Sequence, residues 1–178
     1  QLIPTTLMTT HTNNLYSILM ASQTHNDRAQ VSNCLINLGT NYADQGELEM
    51  GLDYVKRGLA IKIELEDEFR ISNCYIHLAQ IHAMMQQHDT AIAYFNEAIP
   101  VKEGLGDLEG LVKCYLGLGA VLLERDQQNE AGVMVDSALN IAIRINTLEH
   151  IAEGMEMNRK IALARGDYQA AYQFAMNY

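Results

Sequence analysis

Written in rows of forty residues, the chain places apolar side chains in the same columns again and again. Leu38, Leu78 and Leu118 stack, as do Leu59, Ile99 and Leu139, and then Leu65, Leu105 and Ile145. Cysteine keeps the same period at Cys34, Cys74 and Cys114. A fixed period between about 20 and 50 residues marks a repeat architecture, in which each unit buries its apolar face only against its neighbours. Within a row the apolar residues fall at steps of three and four. They are Val31, Cys34, Leu35, Leu38 and Tyr42, then Ile71, Cys74, Tyr75 and Leu78, then Leu111, Cys114, Tyr115, Leu118 and Leu122. This is the spacing of an amphipathic helix.

Polar residues set the boundaries. Asp27, Asp67, Asp107 and Thr147 precede these helices and can accept a hydrogen bond from unpaired amides of the first turn, and Gln30 completes a capping-box pattern with Asp27. Each first helix runs into a polar turn, "ADQGE", "MQQHD", "ERDQQN" or "ARGDY", where Gly46 and Gly166 can adopt the left-handed backbone that closes a helix. A second helix follows in every row. Its small residues recur as Gly51, Ala91, Ala131 and Ala171, and as Gly58, Ala98 and Ala138; Gly39, Ala79 and Gly119 recur in the first helix. Small side chains let two helix backbones approach closely, so these columns predict helix crossings.

This succession resembles the tetratricopeptide repeat family, whose pattern is met by Leu35, Leu38, Gly39, Tyr42, Gly46, Gly51, Val55 and Gly58. The second row repeats it with Tyr75, Leu78, Ala79, Ala91, Phe95 and Ala98, and the third with Tyr115, Leu118, Gly119, Leu122, Ala131, Val135 and Ala138. The resemblance implies an all-α fold, a right-handed superhelix or α-solenoid of antiparallel helix pairs. It assigns about three and a half to four repeats to residues 28–67, 68–107, 108–147 and 148–178. Residues 1–27 then form a partial preceding repeat or an N-terminal helix, because Leu15, Ile18 and Leu19 fall on the columns of Val55, Gly58 and Leu59. The family's usual unit is about 34 residues. The surplus is expected in longer second helices and in connectors such as "IELEDE" and "EGLGDLE". Two positions break the pattern. Asn158 and Arg159 stand where Leu and Gly are expected, predicting a degenerate last repeat or a local change of packing, and Pro100 should kink or shorten the second helix of its row.

Composition narrows the function classes. The chain has 12 basic and 22 acidic residues, a net charge of -10 and a pI near 4.9, and no basic run, which disfavours nucleic acid and anionic membrane as partners. Its longest apolar runs, such as "LGLGAVLL", fall short of the roughly 18 to 20 residues that cross a bilayer. "QLIPTTLMTT" has neither an initiator Met nor a signal-peptide pattern, so the chain reads as a piece of something longer. Three cysteines at equivalent positions of a repeat are small apolar fillers, not a disulfide framework, which points to a reducing cytoplasm, with a periplasmic sensor region as the alternative. His77, His82 and His88 are spaced by five and six residues, unlike the four that brings two ligands onto one helix face, and no metal is expected. No ordered set of nucleophile, base and acid and no phosphate loop is present, so neither catalysis nor a cofactor is expected.

The resemblance directs attention to the inner wall of the first helices. It assigns a protein- or peptide-binding groove to Asn33, Asn37, Thr40 and Asp44, then Asn73, His77, Gln80 and Met84, then Lys113, Leu116 and Glu124. Of these the amides of Asn33, Asn37 and Asn73 are the expected contacts to a peptide backbone. A clamp for chaperone carboxylates is not met, since Ile36, Thr40 and Gly117 occupy positions that need Lys, Asn and Arg, and only Lys113 fits. The long units are similar to those of cell-polarity scaffolds and bacterial signalling proteins. They imply a regulatory or sensory input region ahead of an output domain such as a diguanylate cyclase or a histidine kinase. A free-standing adaptor and a peptide-pheromone sensor are the alternatives. Apolar Tyr172, Phe174 and Met176 near the end predict continuation beyond Tyr178 or a homodimer through an uncovered repeat end.

Overall fold

The computed structural model describes residues 27–176; the helix expected on Leu15, Ile18 and Leu19 lies outside them. The described residues form eight helices and no strand. They are α1 (Arg28–Asp44), α2 (Leu48–Glu64), α3 (Glu68–Met84), α4 (His88–Leu105), α5 (Leu108–Glu124), α6 (Gln128–Ile145), α7 (Leu148–Ala164) and α8 (Tyr168–Met176). The chain divides between Met85 and Gln86 into two compact units. In the first, α1, α2 and α3 pack on one another around Cys34, Leu35 and Leu38. In the second, α4 to α8 pack in succession, with Val112, Leu116, Val135, Leu139, Met157 and Ile161 in the core.

The length of the repeat is built differently from expectation. Both helices of the first row have 17 residues, and three-residue connectors close the count of forty. The surplus over the usual unit is therefore shared by both helices, and "IELEDE" and "EGLGDLE" are mostly helix ends. Pro100 does not shorten its helix either, since α4 runs unbroken for 18 residues. Pro100 lies on the exposed face, where water can satisfy the carbonyl that lost its amide partner.

The turns have a shorter period than the side chains. A left-handed residue recurs every twenty positions, at Gly46, Glu66, Gln86, Gly106, Asp126, Asn146 and Gly166, with φ between 54° and 86°. Around six of them the backbone closes in the same way. At the first, the Gly46 amide donates to Ala43 O (2.9 Å) and the Glu47 amide to Tyr42 O (3.0 Å). This is the Schellman arrangement, which satisfies carbonyls that the helix end would leave open. The next residue then opens the following helix. Asp27, Asp67 and Asp107 accept from the amides of Gln30, Arg70 and Gly110 at 2.9–3.1 Å, as the sequence predicts. Thr147 does not cap; its hydroxyl turns back to Ala142 O at 3.4 Å.

Two of these turns bury a lysine. Lys62 is 2% exposed and Lys102 fully buried, with ammonium groups 3.8 Å from Asp67 and 2.6 Å from Asp107. The same pairs are joined through the backbone, Asp67 N to Lys62 O (3.1 Å) and Asp107 N to Lys102 O (2.9 Å). Gly110 makes room for the second pair, because a Cβ there would lie 2.5 Å from the Asp107 carboxylate and 2.7 Å from the Lys102 stem. In the next row lysine and aspartate are replaced together, by Ala142 and Thr147. Burial alone would raise the Asp107 pKa. Hydrogen bonds from Lys102 and from the Gly110 amide, with the Lys102 charge, outweigh it and hold the carboxyl below its ordinary 3.8.

Helix crossings sit on the small-residue columns. A Cβ on Gly39 would fall 2.8 Å from Gly51 O and 2.9 Å from Val55 N, both backbone atoms of α2. Gly117 opens a space of another kind: the ring of Phe95, which is larger than the Val55 and Val135 of its column, occupies the place of the missing Cβ.

Gly39→Ala should therefore destabilise the protein by about 1–3 kcal/mol, since α1 and α2 must separate; an unchanged denaturation midpoint would disprove this crossing. Because the Asp107 pKa is depressed on folding, the stability it contributes is complete above its ordinary value and is lost as pH falls through the folded one. Urea titrations of wild type and Asp107→Asn should thus differ by a constant amount above about pH 5 and converge in acid.

Candidate functional site

Helices α1 and α3 each turn one edge of their length toward a common hollow. On α1 these residues are Thr40, Ala43 and Asp44; on α3 they are His77, Gln80, Ile81 and Met84, at the three- and four-residue steps that share a helix face. They enclose about 260 Å³. Ala43 and Ile81 are buried and form the apolar floor. Gln80 and Asp44 are exposed, His77 and Thr40 half-buried, and Met84 reaches solvent at the rim. The Thr40 hydroxyl donates to Asn37 O within its own helix (3.1 Å), so toward the hollow it acts as an acceptor. The site offers one carboxylate, an amide, an imidazole and a flexible thioether over a small apolar floor. Such a set can orient a polar backbone or side chain while adapting to an apolar one.

Five of the expected groove residues thus meet in one place: Thr40, Asp44, His77, Gln80 and Met84. Asn33, Asn37 and Asn73 stand on the same two helices one or more turns earlier and do not line the hollow. Asn37 is exposed, and the half-buried Asn33 has a buried side-chain oxygen without a hydrogen-bond partner. The remaining three lie on α5, in the second unit. Lys113 bonds to Glu109 one turn back (2.7 Å), and that bond, with the Lys113 charge, draws the Glu109 carboxyl below its usual range. Glu124 lies 3.2 Å from His88 Nε2. Leu116 is a correction: it is 3% exposed and belongs to the core cluster. Its column is that of Ile36 and Ile76, one residue off the groove column that Asn37 and His77 share with Gly117.

His82, His88 and the three cysteines settle into packing. His82 is buried, and His88 meets Gln86 and Glu124. Among the described residues no three His, Cys, Asp or Glu side chains gather as metal ligands would. All three cysteines are free and buried. Burial pushes the Cys74 thiol up to about 11 and the Cys114 thiol up to about 12, and raises Cys34 as well. Protonated thiols in apolar surroundings are poor nucleophiles. Among the described residues no helix is long and apolar enough to cross a membrane.

With this geometry in hand, comparison with known proteins is direct. Residues 69–144 match the family profile described as tetratricopeptide repeat. These are tetratricopeptide repeats. Solved structures agree on the fold. The Rap conjugation gene regulator of the plasmid pLS20, solved with the Phr* peptide, matches 94% of this chain and 46% of its own at 18% identity, with a TM-score of 0.80. BtubC from P. vanneervenii matches 84% of this chain and 62% of its own at 20% identity, TM-score 0.73. Aspartyl phosphate phosphatase F from Bacillus subtilis matches 83% of this chain and 38% of its own at 16% identity, TM-score 0.73. The tetratricopeptide chain thus spans less than two thirds of each of these structures. No curated protein matches it in sequence. The fold is an all-α solenoid fold.

Thiol reagents should label Cys34, Cys74 and Cys114 only in denaturant. Fast labelling of the native protein, followed by ellman-type absorbance at neutral pH, would contradict their burial.

Proposed function

We propose that the chain is a protein- or peptide-binding module whose ligand seats in the hollow between α1 and α3. The observation that carries this reading is the convergence of Thr40, Asp44, His77, Gln80 and Met84 on one concavity. Similarity in fold to a Rap regulator solved with a peptide supports the same reading. So does the acidic character of the chain, which makes a neutral or basic segment the better partner.

In this reading the module is the input region of a larger regulatory protein, as the resemblance of its long repeats implies. Ligand binding biases an attached output domain by favouring one of two states, which requires different affinities for the two. The diguanylate cyclase or histidine kinase expected from the resemblance is the candidate output.

A displayed library of random short peptides, selected on the wild-type protein, should yield binders that lose at least tenfold in affinity on Asp44→Lys with Gln80→Ala. Both residues are exposed, so the melting temperature should hold within the range of surface substitutions, about 0.5 kcal/mol. Absence of enrichment, or binders indifferent to the double variant, would rule out this hollow as the binding site.

A further inference from the structure

Three columns change where the third repeat meets the fourth, and all three changes remove side-chain volume at one place. Leu38, Leu78 and Leu118 become Asn158; Leu52 and Ile92 become Gly132; Tyr42, His82 and Leu122 become Ala162. Gly132 lies on α6, Asn158 and Ala162 on α7. Together with Ala170 and Phe174 of α8 they line an open pocket of about 320 Å³. It is separate from the hollow between α1 and α3.

The smaller side chains leave neighbouring atoms with fewer contacts and a polar amide replaces a leucine in the core, and both changes oppose stability. Asn158 is only 8% exposed, yet its amide is satisfied, donating to Asp136 Oδ1 at 2.9 Å. The guanidinium of Arg165 reaches across the missing side chain of Gly132 to donate to Gln128 O at 2.7 Å. The pocket is therefore bordered by hydrogen-bonded polar side chains. Its volume lies at the small end of ligand pockets, about 300–1,000 Å³.

The lining states what it would hold. Two carboxylates, Asp136 and Asp167, face one guanidinium. Arg165 is engaged with Gln128 O, and Asp167 Oδ1 caps α8 through the Ala170 amide at 2.9 Å. Asp136 accepts one bond from Asn158 and, as a carboxylate with two oxygens, has capacity for more. Apolar Val133, Ile161 and Phe174 share the lining. We propose that this cavity binds a cationic nitrogen, ammonium or guanidinium, carried on a short apolar stem: the head pairs with Asp136 and the stem lies against Ile161 and Phe174. A free alkylamine and a lysine or arginine side chain of a peptide present the same chemistry.

Ligand-observed NMR on the whole chain tests the site with n-butylammonium, agmatine and N-acetyl-arginine amide, and with n-butanol as the uncharged control. Binding at about 1 mM or tighter is expected for the cations, and at least tenfold weaker for n-butanol. Binding of the two amines identifies a free amine as a sufficient ligand; binding of the arginine amide alone identifies a peptide side chain. Gly132→Leu restores the residue of the first repeat and meets only the mobile end of Arg165, so the protein should keep or raise its melting temperature and lose binding at least tenfold. Asp136→Asn keeps an oxygen for Asn158 and should weaken the cations by a similar factor. Failure of all three cations to bind wild type, equal binding of n-butanol, or full binding by both variants would overturn the proposal.

Discussion

Within each of the two units, the helices depend on being able to come close to one another. A repeat of two helices has too little apolar surface to form a core alone, so burial is obtained only by stacking, and stacking is limited by the thickness of the residues at the crossing. The meeting of Gly39 with Gly51 is the sharpest case, because backbone atoms, not side chains, occupy the space a methyl group would need. Elsewhere the same limit is met by compensation. A larger Phe95 is accommodated by the absence of a side chain at Gly117. Leucines at 38 and 78 can then be fully buried in each row, and the faces that packing does not use are released to vary.

That division explains where function can reside. Core columns repeat because each row solves the same packing problem. The residues around the α1–α3 hollow do not repeat, since Thr40 is followed in its column by Gln80 and Ala120, and Asp44 by Met84 and Glu124. A surface that varies over a constant scaffold can be tuned to one ligand without disturbing the fold. The junction of the third and fourth repeats reverses the relation. There the core columns themselves change, and the result is a cavity with a polar frame.

Much of this was legible in the sequence, and the reasons are physical. Burial imposes the forty-residue period, so Leu38, Leu78 and Leu118 and the capping aspartates reveal the helices and their starts. Five residues of the hollow were readable because an amphipathic helix leaves its polar stripe as the complement of its apolar one. Other features required coordinates. Lys62 and Lys102 look like solvated charges in a sequence, and their burial depends on an aspartate five residues on and, for Lys102, on Gly110. Leu116 was misplaced by a one-residue slip, which on a helix turns a side chain from groove to core. Asn158 was visible as an exception, but its meaning depends on Gly132, which lies in the neighbouring helix.

The left-handed residue at every twentieth position gives the chain a unit of length. Each helix must end where its successor's apolar stripe faces inward, and a single residue added or removed would rotate everything downstream on that helix by about 100°. Such a chain cannot drift in length by ones and twos within its helices. It can change size only by whole helices or whole pairs, joined where Gly46, Glu66, Gly106 and their equivalents reverse the direction of the backbone. Growth of the array is therefore quantised, and a neighbouring repeat, once in register, inherits its orientation from the turn alone.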